Sequence, residues 1–175
     1  MGTEHQIDVL ISEAQIRQKV REIGREIASH YAGKNPILAG VLKGSFMFLA
    51  DLARAIAIPH EVDFLALSSY RGSTSSGEVR LVRDLSCNIR GRHVILVEGV
   101  VDTGRTLEFI RTHLLNHRPA SLRIVALLRK ELHRQRQVLL DYVGFVIADQ
   151  FVVGYGLDLD ERWRYLPYIG VVPEV

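Results

Sequence analysis

Behind Ser12-Glu13-Ala14-Gln15, the apolar residues Ile16, Val20, Ile23, Ile27 and Tyr31 recur every three or four positions. That is the period of an amphipathic helix. The Ser-x-x-Gln spacing is a capping box, with Ile11 before it as a staple, and the pattern predicts a helix to about Gly33. After Pro36 the period changes. ILAGVL is apolar throughout and stops at Lys43-Gly44-Ser45, which predicts a buried strand and a tight loop, then a short helix over FMFLADLARAI. VDFLAL (62–67), HVILV (93–97), RIVALL (123–128) and YVGFVI (142–147) are further short apolar runs. Such strands alternating with helical stretches predict an α/β chain, a mostly parallel sheet flanked by helices.

One segment breaks the alternation. SSYRGSTSSGE (68–78) is rich in Ser and Gly and holds only Tyr70 as a large side chain, so it cannot pack a core. It predicts a flexible lid loop, with VRLVRDL returning as the second arm of a long hairpin.

Composition narrows the class. The 175 residues fit one domain, and 47% hydrophobic with 24% charged residues excludes a disordered or fibrous chain. A single cysteine, Cys87, excludes an internal disulfide framework and a cysteine-based zinc site, and suits a reducing cytoplasm. Twenty-two Lys+Arg against twenty Asp+Glu give a net charge of +2. That admits an anionic ligand and gives no reason to expect nucleic acid. The longest stretch without a charged residue, Tyr165 to Pro173, has nine residues, about half of the ~20 a membrane helix needs. The opening MGTEHQIDVL lacks the basic and apolar regions of a signal peptide, so a soluble cytoplasmic chain without a membrane partner is expected.

The chemistry concentrates in HVILVEGVVDTGRTLEFI, residues 93–110. A buried strand runs to Glu98, and Asp102-Thr103-Gly104-Arg105-Thr106 precedes a helix. The carboxyl edge of a parallel sheet is where α/β folds bind ligands. Gly104 lets the backbone bend close, the two threonines add hydroxyls, and the helix start offers unpaired N–H groups, together a phosphate cradle. Asp102 and Thr103 as mere helix caps would explain one acid, whereas Glu98 and Asp102 place two carboxylates beside the cradle. The loop is neither a Walker A sequence nor a GxGxxG.

VEGVVDTGRTL resembles the phosphoribosyl-pyrophosphate signature of the type I phosphoribosyltransferases. LKGSF (42–46), SSYRGSTSSGEV (68–79), LLRK (127–130), DQFVVGYGLD (149–158) and RYLPYIG (164–170) follow the order found in the bacterial hypoxanthine (hypoxanthine-guanine) branch of that family. The resemblance implies a single domain over 1–175, with a lid at about 68–78 and a small hood from the N-terminal residues and about 149–175. It implies transfer of ribose 5-phosphate from phosphoribosyl pyrophosphate to N9 of a 6-oxopurine, giving a nucleoside monophosphate and pyrophosphate, with Mg²⁺ and a homodimer or homotetramer. A flavodoxin-like or receiver domain shares the architecture but leaves the purine-end motifs unexplained.

By the same resemblance Asp102 is the general base, and Asp102, Thr103, Gly104, Arg105 and Thr106 hold the 5′-phosphate. Glu98 reaches the ribose hydroxyls. Lys43 and Gly44 form the pyrophosphate loop, with a cis peptide expected at Leu42–Lys43, and Arg164 meets the pyrophosphate. Ser69 and Tyr70 close over the reaction. Lys130 donates to purine O6, Phe151 stacks on the ring, the backbone of Val152 bonds its edge, and Asp158 lies at the purine end. Asp158 and Glu98 are the expected metal ligands.

Two positions depart from the family pattern. Gly99 stands where a second acid follows Glu98, which predicts a weaker hold on the sugar or a slower reaction, or a site retuned for binding without catalysis, a regulator on the same scaffold. Arg129 stands where the family has Asp before the purine lysine. Outside these motifs, His113 and His117 sit four apart with no third ligand at a sensible spacing, so they read as a solvated helix face. Cys87, between Ser86 and Asn88, has no feature of a nucleophile.

Overall fold

The computed structural model describes residues 7–69, 79–131 and 139–172. Strand β1 (Asp8–Ile11) leads to helix α1 (Glu13–His30), and β2 (Ile37–Leu42) to α2 (Phe46–Ala55). Then come β3 (Glu61–Ser69), β4 (Val79–Arg83), β5 (His93–Val101), α3 (Arg105–Asn116), β6 (Ser121–Lys130), β7 (Tyr142–Ile147), β8 (Val152–Val153) and β9 (Ile169–Val171). The capping box is present: Ser12 Oγ accepts from Gln15 N–H while the Gln15 side chain accepts from Ser12 N–H. The helix stops three residues before Gly33, because Tyr31 leaves helical geometry and a turn through Gly33 (φ 73°) takes over.

Six strands form the main sheet in the order β4-β3-β2-β5-β6-β7, parallel except for β4 against β3. Side chains alternate between its faces, as the two-residue period of a strand requires. Ile37, Ala39 and Val41 of β2, with Val94 and Leu96 of β5, pack with Leu107, Ile110 and Leu114 of α3. Leu38, Ile95 and Val97 point the other way, onto Ile16, Val20 and Ile23 of α1 and Phe48, Leu49 and Leu52 of α2. Both faces are covered, which is why the strands read as unbroken apolar runs. Among the described residues no helix is long and apolar enough to cross a membrane.

The expected strand at 93–97 continues through Glu98 and Gly99 to Val101, since β6 goes on pairing with it as far as Val101↔Arg129. The two arms of the expected hairpin pair antiparallel as β3 and β4. Tyr70 and the rest of the expected lid tip lie outside the described residues. A second sheet, β1-β9-β8, joins the N-terminal strand to the segment after residue 150. Around β2 the chain order reverses: β3 lies on one side and β5 on the other, so the carboxyl ends of β2 and β5 frame a topological switch point.

Candidate active site

At that switch point β5 ends in Val101, and Gly104 (φ 77°) turns the chain into α3. A left-handed φ is cheap only for glycine, which explains Gly104 at the bend. Glu98, Val101, Asp102, Thr103, Gly104 and Thr106 line a cleft of about 110 Å³, a volume suited to a phosphate group. Arg105 is not part of that lining; its side chain is exposed on the first turn of α3. Glu98 is partly buried, and burial pushes its carboxyl up to about 8, opposed only by the Gly99 N–H. At neutral pH it is therefore mostly protonated and able to donate as well as accept.

Lys130, at the end of β6, comes to the same place. Its ammonium lies 3.7 Å from the Asp102 carboxylate and 3.4 Å from that of Asp149, with the side chain 12% exposed. The expected proton acceptor and the expected purine lysine are thus neighbours. Asp149 was not singled out from the sequence, although it opens the DQFVVGYGLD motif.

The turn after β2 carries the second cluster. Leu42–Lys43 is a cis peptide, and the buried Ser45 hydroxyl donates to the Val41 carbonyl at 2.7 Å, fastening the turn to its strand. The Lys43 ammonium meets Glu161 at 2.9 Å. Arg164 pairs with Asp158 at 2.8 Å and Glu161 at 3.2 Å, and donates to the Gly156 carbonyl at 2.7 Å. The GYG of the motif supplies that carbonyl: Gly154, Tyr155 and Gly156 all have positive φ, and Gly156 N–H returns a bond to the Arg164 carbonyl. Glu161 thus bridges both expected pyrophosphate cations, and Lys43 first, then Arg164, holds its carboxyl below the ordinary range. Sequence reasoning missed it.

Gly99 faces this cluster. A Cβ there would stand 2.8 Å from the Gly44 carbonyl oxygen and 3.2 Å from Leu157 Cδ2. The missing acid therefore coincides with a close approach between β5 and the turn at Lys43-Gly44.

At the purine end Phe151 is 50% exposed. Val152 pairs with Val171 while Val172 N–H bonds to the Phe151 carbonyl. Val152 is therefore a non-hydrogen-bonded pair position, and its own N–H and C=O face the open edge of the small sheet, where β8 is last. Ser69 is the last residue of β3. A larger cavity, about 640 Å³ between α1, α2 and Tyr155, holds none of the expected site residues.

Comparison with known proteins agrees with this geometry. The family model described as phosphoribosyl transferase domain matches residues 10–160. The bifunctional protein TilS/HprT of Listeria monocytogenes is 46% identical over 95% of the chain, which spans 26% of that protein's length. The hypoxanthine phosphoribosyltransferase of Salmonella typhimurium is 45% identical over 97% of both chains. A solved structure of the Trypanosoma cruzi hypoxanthine phosphoribosyltransferase in complex with the product IMP superposes with TM-score 0.89 at 41% identity, covering 99% of this chain and 97% of that one. With a glycine-bent cleft at the switch point, likeness along nearly the whole length places the chain in the phosphoribosyltransferase family, in its hypoxanthine phosphoribosyltransferase branch.

Proposed function

We propose that the chain transfers the 5-phosphoribosyl group from phosphoribosyl pyrophosphate to N9 of hypoxanthine or guanine, a purine-salvage reaction. The carrying observation is the approach of Lys130 to Asp102 beside the cleft at the end of β5, a cation and a carboxylate within one ligand's span. The N9–C1′ bond forms as the C1′–pyrophosphate oxygen bond breaks, and Asp102 takes the purine N7 proton. Thr103, Gly104 and Thr106, with the start of α3, hold the 5′-phosphate; Arg105 contributes its backbone rather than its side chain. Glu98 bonds the ribose hydroxyls. Lys43, Gly44 and Arg164 take the pyrophosphate once Glu161 yields them. Lys130 donates to O6, Phe151 stacks, and Val152 bonds the base edge. Ser69, the last residue of β3, and Tyr70 close over the reaction.

The donor set suits Mg²⁺. Asp158 and Glu98 offer only hard oxygens, and Glu98 has a desolvated carboxyl with no cation among the causes acting on it. Magnesium held there would neutralise charge on the departing pyrophosphate.

The test is pyrophosphate release from phosphoribosyl pyrophosphate with hypoxanthine, guanine or xanthine, with and without Mg²⁺. Turnover that falls in Asp102→Asn supports the proposal. Tight binding of phosphoribosyl pyrophosphate without turnover favours instead a non-catalytic regulator, the reading that Gly99 supports.

A further inference from the structure

We propose that Asp84, His113 and His117 form a binding site for a divalent transition ion of the zinc class, clasping the exit of β4 to the end of α3. The three side chains can each present one ligand atom so that all lie within 4.8 Å of one another. Asp84 directly follows β4, whereas His113 lies in the last turn of α3 and His117 is its C-cap. The site shares no residue with the phosphate cleft or the pyrophosphate turn.

The donors are already arranged. His113 Nε2 lies 2.8 Å from Asp84 Oδ2, and the two imidazoles meet edge to face with centroids 4.9 Å apart. His117 Nδ1 lies 3.1 Å from the His113 carbonyl oxygen. A carbonyl only accepts, so Nδ1 carries the proton and Nε2 keeps its lone pair for a metal, the outer-shell arrangement that metal-binding histidines use. Asp84 is fixed from behind: its Oδ1 accepts Leu85 N–H at 2.8 Å, and Ser86 and Cys87 N–H bond the buried Asp63 carboxylate at 2.7 and 3.0 Å.

Donors at roughly 2.0–2.2 Å from a tetrahedral ion stand about 3.3–3.6 Å apart. From a spread of up to 4.8 Å the set must close by up to about 1.2–1.5 Å, which rotamer adjustment of partly exposed side chains supplies. The ion takes the place of the proton between His113 and Asp84. Two imidazoles and one carboxylate suit Zn²⁺, Ni²⁺ or Cu²⁺ better than Mg²⁺, which prefers oxygen. With three protein ligands, water completes the shell.

Equilibrium dialysis of the chelator-stripped full chain against Zn²⁺, with Mg²⁺ in excess to hold the oxygen-rich site, tests the proposal. We expect one Zn²⁺ per chain, and a loss of about 10-fold or more in affinity for His117→Ala and for Asp84→Asn, at least the loss that removing an outer-shell partner brings. Co²⁺ as the probe should give visible absorption bands that weaken in the same variants. Zn²⁺ should raise Tm in the parent and not in His113→Ala/His117→Ala. Transferase activity measured without Zn²⁺ should not change in His117→Ala, whose exposed side chain also makes misfolding easy to exclude by circular dichroism. No bound Zn²⁺, or undiminished binding by the double variant, overturns the site. Neither result bears on phosphoribosyl transfer.

Discussion

Lys130 and Asp102 face each other 3.7 Å apart, from the ends of two adjacent parallel strands. The pair couples the two halves of the proposed reaction, in which the lysine would read the purine and the aspartate would deprotonate it. Asp102→Asn keeps the shape and removes the base. It should lower kcat by about 10²–10⁴-fold, the usual contribution of a general base, with a smaller change in KM for phosphoribosyl pyrophosphate. Steady-state kinetics with hypoxanthine checks this, and an unchanged kcat refutes the assignment.

Glu161 stands between Lys43 and Arg164, the two cations proposed to take the pyrophosphate. Glu161→Gln should release Lys43 and Arg164 and lower KM for phosphoribosyl pyrophosphate, by no more than about fivefold because exposed pairs are weak. The effect should fade at high salt. A raised KM would mean that Glu161 positions the cations rather than competes for them.

Gly99 is best examined with two substitutions. Both Gly99→Ala and Gly99→Asp push against the Gly44 carbonyl, so each should cost about 1–3 kcal/mol of stability, measurable by denaturant unfolding. Only Asp adds a carboxylate. If a second acid serves the ribose, kcat/KM of the Asp variant should exceed that of the Ala variant by about tenfold, a gain expected of a hydrogen bond involving a charged group. Equal values would end the idea that its absence impairs the enzyme.

Asp63 sets a pH limit on stability. Burial alone would raise its acid, but bonds from the Phe64 and Cys87 N–H groups, the Cys87 thiol and Ser86 outweigh it and bring the pKa down to about 2. A pKa lower in the folded chain stabilises above the unfolded value, near 3.8, and that stability is lost as pH falls towards 2. The contribution is about 2 kcal/mol. Asp63→Asn should therefore lower stability at pH 7 and narrow its difference from the parent between about pH 4 and about pH 2. A constant difference across that range would refute the linkage.

The sequence disclosed the elements whose physics is local. The first helix shows in its own period and cap, and the central strands in apolar runs that two covered faces require. The turn into α3 shows because Gly104 takes a left-handed φ there. Contacts between distant segments were hidden. Asp84 reaches His113 across 29 residues, with β5 and most of α3 between them. Glu161 reaches Lys43 only because Asp160 and Glu161 themselves adopt positive φ, which their residue types do not announce. Strands β8 and β9 have two and three residues, too few for a period.

The Gly44 carbonyl oxygen would lie 2.8 Å from a Cβ at Gly99 and equally 2.8 Å from one at Gly156. Three parts of the chain remote in sequence thus lean on one atom. Evolutionary drift at Gly99 and at Gly156 is then coupled: a side chain at either is tolerated only when the turn at Gly44 has shifted first. Saturation mutagenesis read by growth on purine salvage should find Gly99 and Gly156 intolerant singly, with rescue confined to combinations with changes in the Gly44 turn.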